Sequence, residues 1–129
     1  MAVRILIVDD SALFRQGVRV MLETNADWEV CGEAVDGLDG IEKNRLLAPD
    51  LIIMDLTMPG ISGIEAASEI LKEFPNAAIL MLALDVPGQL VKEAQNVGIR
   101  AIVSKTFMHD LTDGIHALLR GECFAAPVI

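Results

Sequence analysis

The sequence predicts an α/β fold, a doubly wound parallel sheet of five strands with helices on both faces. Three observations predict it. Short apolar runs rich in β-branched residues recur along the chain, segments with helical apolar spacing separate them, and the connections are two to six residues long. Crossovers between parallel strands are right-handed, so few arrangements remain.

Taken in order, Val3-Arg4-Ile5-Leu6-Ile7-Val8 is an almost continuous apolar run, as expected for a strand covered on both faces. Leu13, Phe14, Val18, Met21 and Leu22 then share one face of a helix from about Ser11 to Thr24. Trp28 to Ala34 alternates apolar and polar residues, which suits a strand nearer an edge. Leu38, Ile41, Leu46 and Leu47 mark a second helix that stops before Pro49. Leu51-Ile52-Ile53-Met54 is the third strand. Ser62-Gly63-Ile64-Glu65 is a capping-box pattern opening a third helix, with Ile64, Ala67, Leu71 and Phe74 inward and Pro75 past its end. Ala78 to Ala83 reads as the fourth strand, and Pro87 as a first-turn proline of a helix ending at Asn96 or Val97, before Gly98. Ala101-Ile102-Val103 is the fifth strand, and Leu111, Ile115, Leu118 and Leu119 define a last helix ending near Gly121. The tail, Glu122 to Ile129, has apolar residues but no helical stripe.

Composition narrows the function. A chain of 129 residues is the usual size of one domain, and 53% apolar residues excludes disorder. The net charge is −9 and no Lys/Arg cluster exists, so direct contact with nucleic acid or anionic lipid is not expected. Cys31 and Cys123 form neither a CxxC nor a Cys/His ligand set, and read as small apolar residues in a reducing compartment. The segment from Met1 meets Asp9 and Asp10 too early for a secretory signal, and the longest apolar run, Ala77 to Leu84, is too short to span a bilayer. A soluble cytoplasmic protein is expected.

In an open parallel sheet, ligands bind outside the carboxyl ends of the strands, at the switch point in strand order. The residues just past the strands are Asp9 and Asp10, then Asp55, then Ala83, Leu84 and Asp85, then Ser104 and Lys105. Three carboxylates and a lysine therefore converge on one small patch. Like charges packed together destabilise a fold unless something compensates, and a hard divalent cation such as Mg²⁺ is the natural compensator. Two carboxylates and a backbone carbonyl leave room for water and a phosphoryl oxygen, and Lys105 adds a point positive charge for the same group. The pattern reads as a site where one aspartate accepts a phosphoryl group with metal assistance. Singly, each feature has a plainer meaning: Asp-Asp after a strand is usually a turn or cap, and a lone lysine is usually solvated.

Together, Ile7-Val8-Asp9-Asp10, Asp55-Leu56-Thr57-Met58-Pro59-Gly60 with Gly63 following, and Ser104-Lys105 resemble the receiver domain of bacterial two-component response regulators. The resemblance covers about residues 3 to 121 and implies a flavodoxin-like (βα)5 sheet of strand order 2-1-3-4-5. It implies that Asp55 is the phospho-acceptor, attacking the phosphorus of a phosphohistidine on a sensor histidine kinase. Asp10 would ligate Mg²⁺ directly with Asp55 and the backbone carbonyl of Thr57, and Asp9 would help through water. Lys105 would pair with Asp55 and then with its phosphoryl group. Thr57 and Asp85 would flank the path of the hydrolytic water and tune the lifetime of the acyl phosphate. Such a domain catalyses its own phosphotransfer and dephosphorylation, and is not an enzyme acting on a free substrate.

Two residues depart from the family pattern. Ala83 stands where a Thr or Ser usually hydrogen-bonds the phosphoryl group, and Ile102 stands where an aromatic side chain often rotates inward. A hydrogen bond to a charged group is worth about 1.5–3 kcal/mol, so the usual relay is weakened while the acidic site is complete. Lys105-Thr106 replaces the common Lys-Pro, so that peptide is either trans or held cis by its surroundings.

Rival readings fare worse. A dehalogenase-type phosphatase needs a second acid two residues after its nucleophile, and position 57 is Thr. Neither GxxxxGK[ST] nor GxGxxG follows the first strand, and Asp9-Asp10-Ser11 would repel the phosphate of FMN. The alternative that remains is a receiver-like interaction module that works without phosphorylation, for which Ala83 and Ile102 speak. The last helix and its exit, Asp110 to Glu122, resemble receivers of the NarL/FixJ type, which carry a helix-turn-helix DNA-binding domain after a linker. The resemblance therefore implies a receiver over residues 1–121, with 122–129 starting a linker. DNA would be contacted only through a C-terminal domain absent from this chain. Homodimerisation through the first and last helices, or through the fourth-helix face, is open, and the sequence does not choose.

Overall fold

The apolar runs all enter one sheet. A computed structural model, which describes residues 2–128, orders the chain as β1 (Val3–Val8), α1 (Ala12–Glu23), β2 (Trp28–Ala34), α2 (Gly37–Leu47), β3 (Leu51–Asp55) and α3 (Gly63–Glu73). There follow β4 (Ile79–Ala83), α4 (Gly88–Val97), β5 (Ala101–Ser104), α5 (Leu111–Leu119) and β6 (Phe124–Ala126). Met1 and Ile129, the outer ends of the expected receiver and linker spans, lie outside the described residues.

All strand pairs are parallel, in the order β2-β1-β3-β4-β5-β6. The expected order 2-1-3-4-5 is present, but the sheet has six strands rather than five. The sixth falls inside the stretch read as the start of a linker. Phe124 donates its N–H to the Arg100 carbonyl at 2.8 Å and packs beside Gly114 of α5, while Ala125 and Ala126 lie against Ile102 and Val103. Without β6, the outer edge of β5 would present its main-chain groups unpaired, which edge strands tolerate poorly. Three residues are too few for a period to show in the sequence.

Period-two alternation divides the core. Leu6, Val8, Ile52, Met54, Ile79, Met81 and Ile102 face α2, α3 and α4, whereas Ile5, Ile7, Ile53, Leu80, Leu82 and Val103 face α1 and α5. Ser62 forms the expected capping box: its hydroxyl accepts from Glu65 N–H at 3.2 Å, and the Glu65 carboxylate accepts from Ser62 N–H at 3.1 Å. Pro87 sits one position earlier than expected, at the N-cap of α4, and Gly98 ends that helix at φ 101°.

Some expected inward residues point out. Leu13, Leu38 and Leu46 are exposed, and α2 instead buries Gly37, Gly40 and Asn44. A Cβ on Gly40 would come within 2.9 Å of Val8, so α2 rests on the sheet by close backbone approach rather than by a leucine stripe. No helix among the described residues is long and apolar enough to cross a membrane.

Candidate functional site

The chain runs outward from β1 to β2 in one direction and to β3 in the other, so the switch point lies between the carboxyl ends of β1 and β3. Asp9 follows β1 there, and Asp55 is the last residue of β3. Both are buried, at 1% and 3% exposure, while Asp10 beside them is exposed. Asp9 is fixed by the Ser11 N–H at 2.8 Å and by Lys105 Nζ at 3.1 Å. The Arg15 guanidinium donates to the Asp9 main-chain carbonyl at 2.6 Å and steadies the turn.

The end of β3 is fixed by the start of α3. Gly63 donates its N–H to the Leu56 carbonyl at 2.7 Å, and any Cβ at Gly63 would overlap the Asp55 carbonyl oxygen. Only glycine allows this approach. Between them, Met58 is buried and Gly60 has φ 82°, so the loop after Asp55 is shaped by packing and by a left-handed turn. The Thr57 N–H reaches Asp55 Oδ1 at 3.4 Å, a long contact, and the Thr57 side chain is exposed.

Lys105 arrives from the end of β5. Its Nζ lies 3.0 Å from Asp55 Oδ1 and 3.1 Å from Asp9 Oδ2, bridging the two buried carboxylates. It also lies 4.3 Å from the centre of the Phe14 ring, a cation–π contact. Phe14, read only as a core residue of the first helix, is thus a wall of the site; no sequence signal separates those roles. Burial raises the pKa of Asp55 above the usual carboxylate range; the Lys105 hydrogen bond opposes this and the Asp9 charge adds to it. Burial also works against the Lys105 ammonium, but hydrogen bonds with Asp55 and Asp9 outweigh it and leave its pKa above the ordinary lysine value.

One oxygen from each of Asp9, Asp10 and Asp55 falls within 4.8 Å of the others. One ammonium against three carboxylates leaves two negative charges uncompensated, and an all-oxygen donor set of this spacing can hold a hard divalent cation. The structure therefore brings together Asp9, Asp10, Asp55 and Lys105. Thr57 and Asp85 are exposed on the loops after β3 and β4. Ala83 and Ile102 are buried at 2% each, with Ile102 packed into the α2–α4 face. Ala83 offers no hydroxyl, but its carbonyl accepts from Lys105 N–H at 2.7 Å on the β5 side. Because the peptide is planar and trans, the Leu84 N–H points the opposite way, to the β3 side that carries Asp55. The Lys105–Thr106 peptide is trans, which resolves the alternative left by the missing proline.

Comparison with known proteins agrees with this fold. The family model described as the response regulator receiver domain matches residues 5–116. The response regulator protein VraR of Staphylococcus aureus is 35% identical over 130 residues, covering 100% of this chain and 62% of that protein. The chain thus spans less than two thirds of the curated relatives it matches. A two-component response regulator of the LuxR family from Aurantimonas sp. superposes with a TM-score of 0.94 at 31% identity, over 98% of this chain and 91% of that one. The isolated REC domain of RcsB from Salmonella enterica serovar Typhimurium, solved with the phosphomimetic BeF3−, gives 0.89 at 27% identity, over 98% and 95%.

Proposed function

This chain belongs to the response regulator receiver family, and we propose from that premise that it accepts a phosphoryl group on Asp55 from the phosphohistidine of a sensor histidine kinase. The observation that carries the reading is the excess of carboxylate over cation at the switch point: Asp9, Asp10 and Asp55 around a single Lys105. Core packing has no use for such an arrangement, and charge transfer chemistry does.

In this reading an Asp55 carboxylate oxygen attacks phosphorus, the phosphorus–nitrogen bond breaks, and the kinase imidazole leaves. Asp10, Asp55 and the Thr57 carbonyl would hold Mg²⁺, with Asp9 contributing through water. Bound there, the ion neutralises charge on the transferring phosphoryl oxygens. Lys105 already spans Asp55 and Asp9, so it can follow the charge outward onto the phosphoryl group without leaving Asp9. On the β4 side the Leu84 N–H is the candidate donor, since the Ala83 side chain has none to give. The exposure of Thr57 and Asp85 suits positions beside the path of the hydrolytic water.

We extend the reading to the regulatory part of a DNA-binding transcription regulator. Supporting it are the LuxR-family relative and an RcsB structure described as a complex with DNA, which this chain matches over 65% of its length. The charge of −9 argues against DNA contact by this chain itself. The second reading, an interaction module without phosphorylation, draws on the two buried apolar switch positions, Ala83 and Ile102.

Intact-protein mass after incubation with acetyl phosphate and Mg²⁺ separates the two. One added phosphoryl group, lost in Asp55→Asn and on chelation, is the expected result. No gain from acetyl phosphate or from a cognate kinase would move the assignment to the interaction module.

A further inference from the structure

The loop after β4 should be free to drift in this chain, because Ala83 cannot tether it to the phosphoryl group. It is tethered from the other side. Ser104, the last residue of β5 and 2% exposed, donates its hydroxyl to the Leu84 carbonyl at 2.8 Å. The Ser104 Oγ in turn accepts the Thr106 N–H at 3.1 Å. One buried hydroxyl thus fastens the residue before Lys105, the residue after it and the loop at Leu84 into a single unit. The Lys105 N–H bond to the Ala83 carbonyl completes the clasp.

We propose that Ser104 is a positioning residue for phosphoryl binding, compensating for the hydroxyl missing at Ala83. The inference rests on Asp55 being the acceptor. Ser104 does not touch the phosphoryl group. It holds the Leu84 carbonyl, whose neighbouring N–H points to the β3 side that carries Asp55, and keeps Lys105 in register with that N–H. Leu84 itself is 69% exposed, so its side chain gives the loop no anchor in the core. Val86 anchors the far end of the loop in the core at 1% exposure, and at Leu84 the main-chain clasp is what holds it. An ordinary core serine would satisfy its hydroxyl on a neighbouring carbonyl of its own strand or helix; this one joins the loop after β4 to the segment that carries Lys105 onto Asp55.

The test compares Ser104→Thr with Ser104→Val, which share a shape and differ only in the hydroxyl, with Ser104→Ala as the smaller control should the β-branched pair fold poorly. The probe is beryllofluoride with Mg²⁺, read by calorimetry and by the Leu84 amide resonance. Wild type and the Thr variant should bind alike and shift Leu84. The Val and Ala variants should bind about three- to tenfold more weakly, the scale of one hydrogen bond, with the Leu84 shift reduced. In the free protein, Thr106 amide exchange should be faster in Val and Ala than in Thr. Equal beryllofluoride affinity in the Thr and Val variants, or in wild type and Ala, would overturn the role of Ser104. Failure of wild type itself to bind, or binding that survives Asp55→Asn, would instead overturn the acceptor assignment on which the proposal stands.

Discussion

Glu33 on β2 and Asp55 on β3 flank the same strand and are held under opposite charge balances. Glu33 receives two guanidiniums: Arg15 Nε at 2.9 Å, and Arg19 through Nη2 at 2.6 Å and Nε at 3.1 Å. The hydrogen bond from Arg19, against the cost of burial, and then that from Arg15, hold its pKa below the usual carboxylate value. Asp55 shares one ammonium with Asp9, and burial pushes its pKa the other way. The first arrangement is satisfied and the second is in deficit. A fold that can surround one carboxylate with cations has not done so at the switch point, and the deficit there is what a bound divalent cation would compensate.

The sharpest way to break this contrast is to deepen the deficit. Lys105→Met keeps an apolar stem over Phe14 but leaves Asp9 and Asp55 buried with no cation. Removing one partner of a buried ion pair costs about 3–5 kcal/mol, so metal-free Lys105→Met should unfold at clearly lower temperature than wild type. Mg²⁺ should restore more of that loss than it adds to wild type, since an ion at a hundred times its dissociation constant contributes about 2.7 kcal/mol. Calorimetric melts with chelator and with Mg²⁺ check both. A variant melting like wild type, and indifferent to Mg²⁺, would mean that the carboxylates are not in deficit.

Relieving the deficit is the smaller, opposite perturbation. Asp55→Asn should stabilise the metal-free protein by about 1–2 kcal/mol at about pH 7, since a neutral isostere escapes both burial of charge and the Asp9 field. The pH dependence fixes the sign. Asp55 has a raised folded pKa, so its contribution is fully favourable below its unfolded pKa and is lost as pH rises through the folded value. The gain from Asn should therefore vanish toward about pH 3, where the wild-type carboxyl is already protonated. A stabilisation that persists unchanged in acid would point to packing rather than charge.

The deficit was legible in the sequence, because strand ends can be located from apolar runs and the acids sit directly after them. Asp9, Asp10, Asp55 and Lys105 all converge as the strand order requires. Contacts that depend on side-chain direction were not legible. Phe14 under Lys105, Arg15 on the Asp9 carbonyl and Ser104 across to Leu84 come from two elements, α1 and β5, whose placement against the site is tertiary. The same limit hid β6, whose three residues are held by the edge of β5 and by Phe124 packing rather than by any local pattern. In α2 the apolar spacing located the helix but only part of its inner face: Ile41 and Leu47 pack on the core beside buried Gly40 and Asn44, while Leu38 and Leu46 face outward.

The satisfied side of the comparison gives the smallest effect and the opposite slope. Glu33→Gln retains hydrogen-bond acceptors for Arg15 and Arg19 but removes the charge. With the Glu33 side chain 30% exposed and that of Arg19 36%, solvent screening limits the loss to about 1 kcal/mol at about pH 7. Because the folded pKa of Glu33 is lowered, its stabilisation is present above the unfolded pKa and fades as pH falls through the folded value. Chemical denaturation of Glu33→Gln should converge on wild type in acid from below, whereas Asp55→Asn converges from above. Added salt should shrink the Glu33 effect more than the Asp55 effect, since the Debye length is about 8 Å at physiological ionic strength and screening reaches exposed pairs first. Two carboxylates beside one strand, neutralised separately, would then move stability in opposite directions for two reasons: how deeply the fold buries each, and how many cations it sets against each.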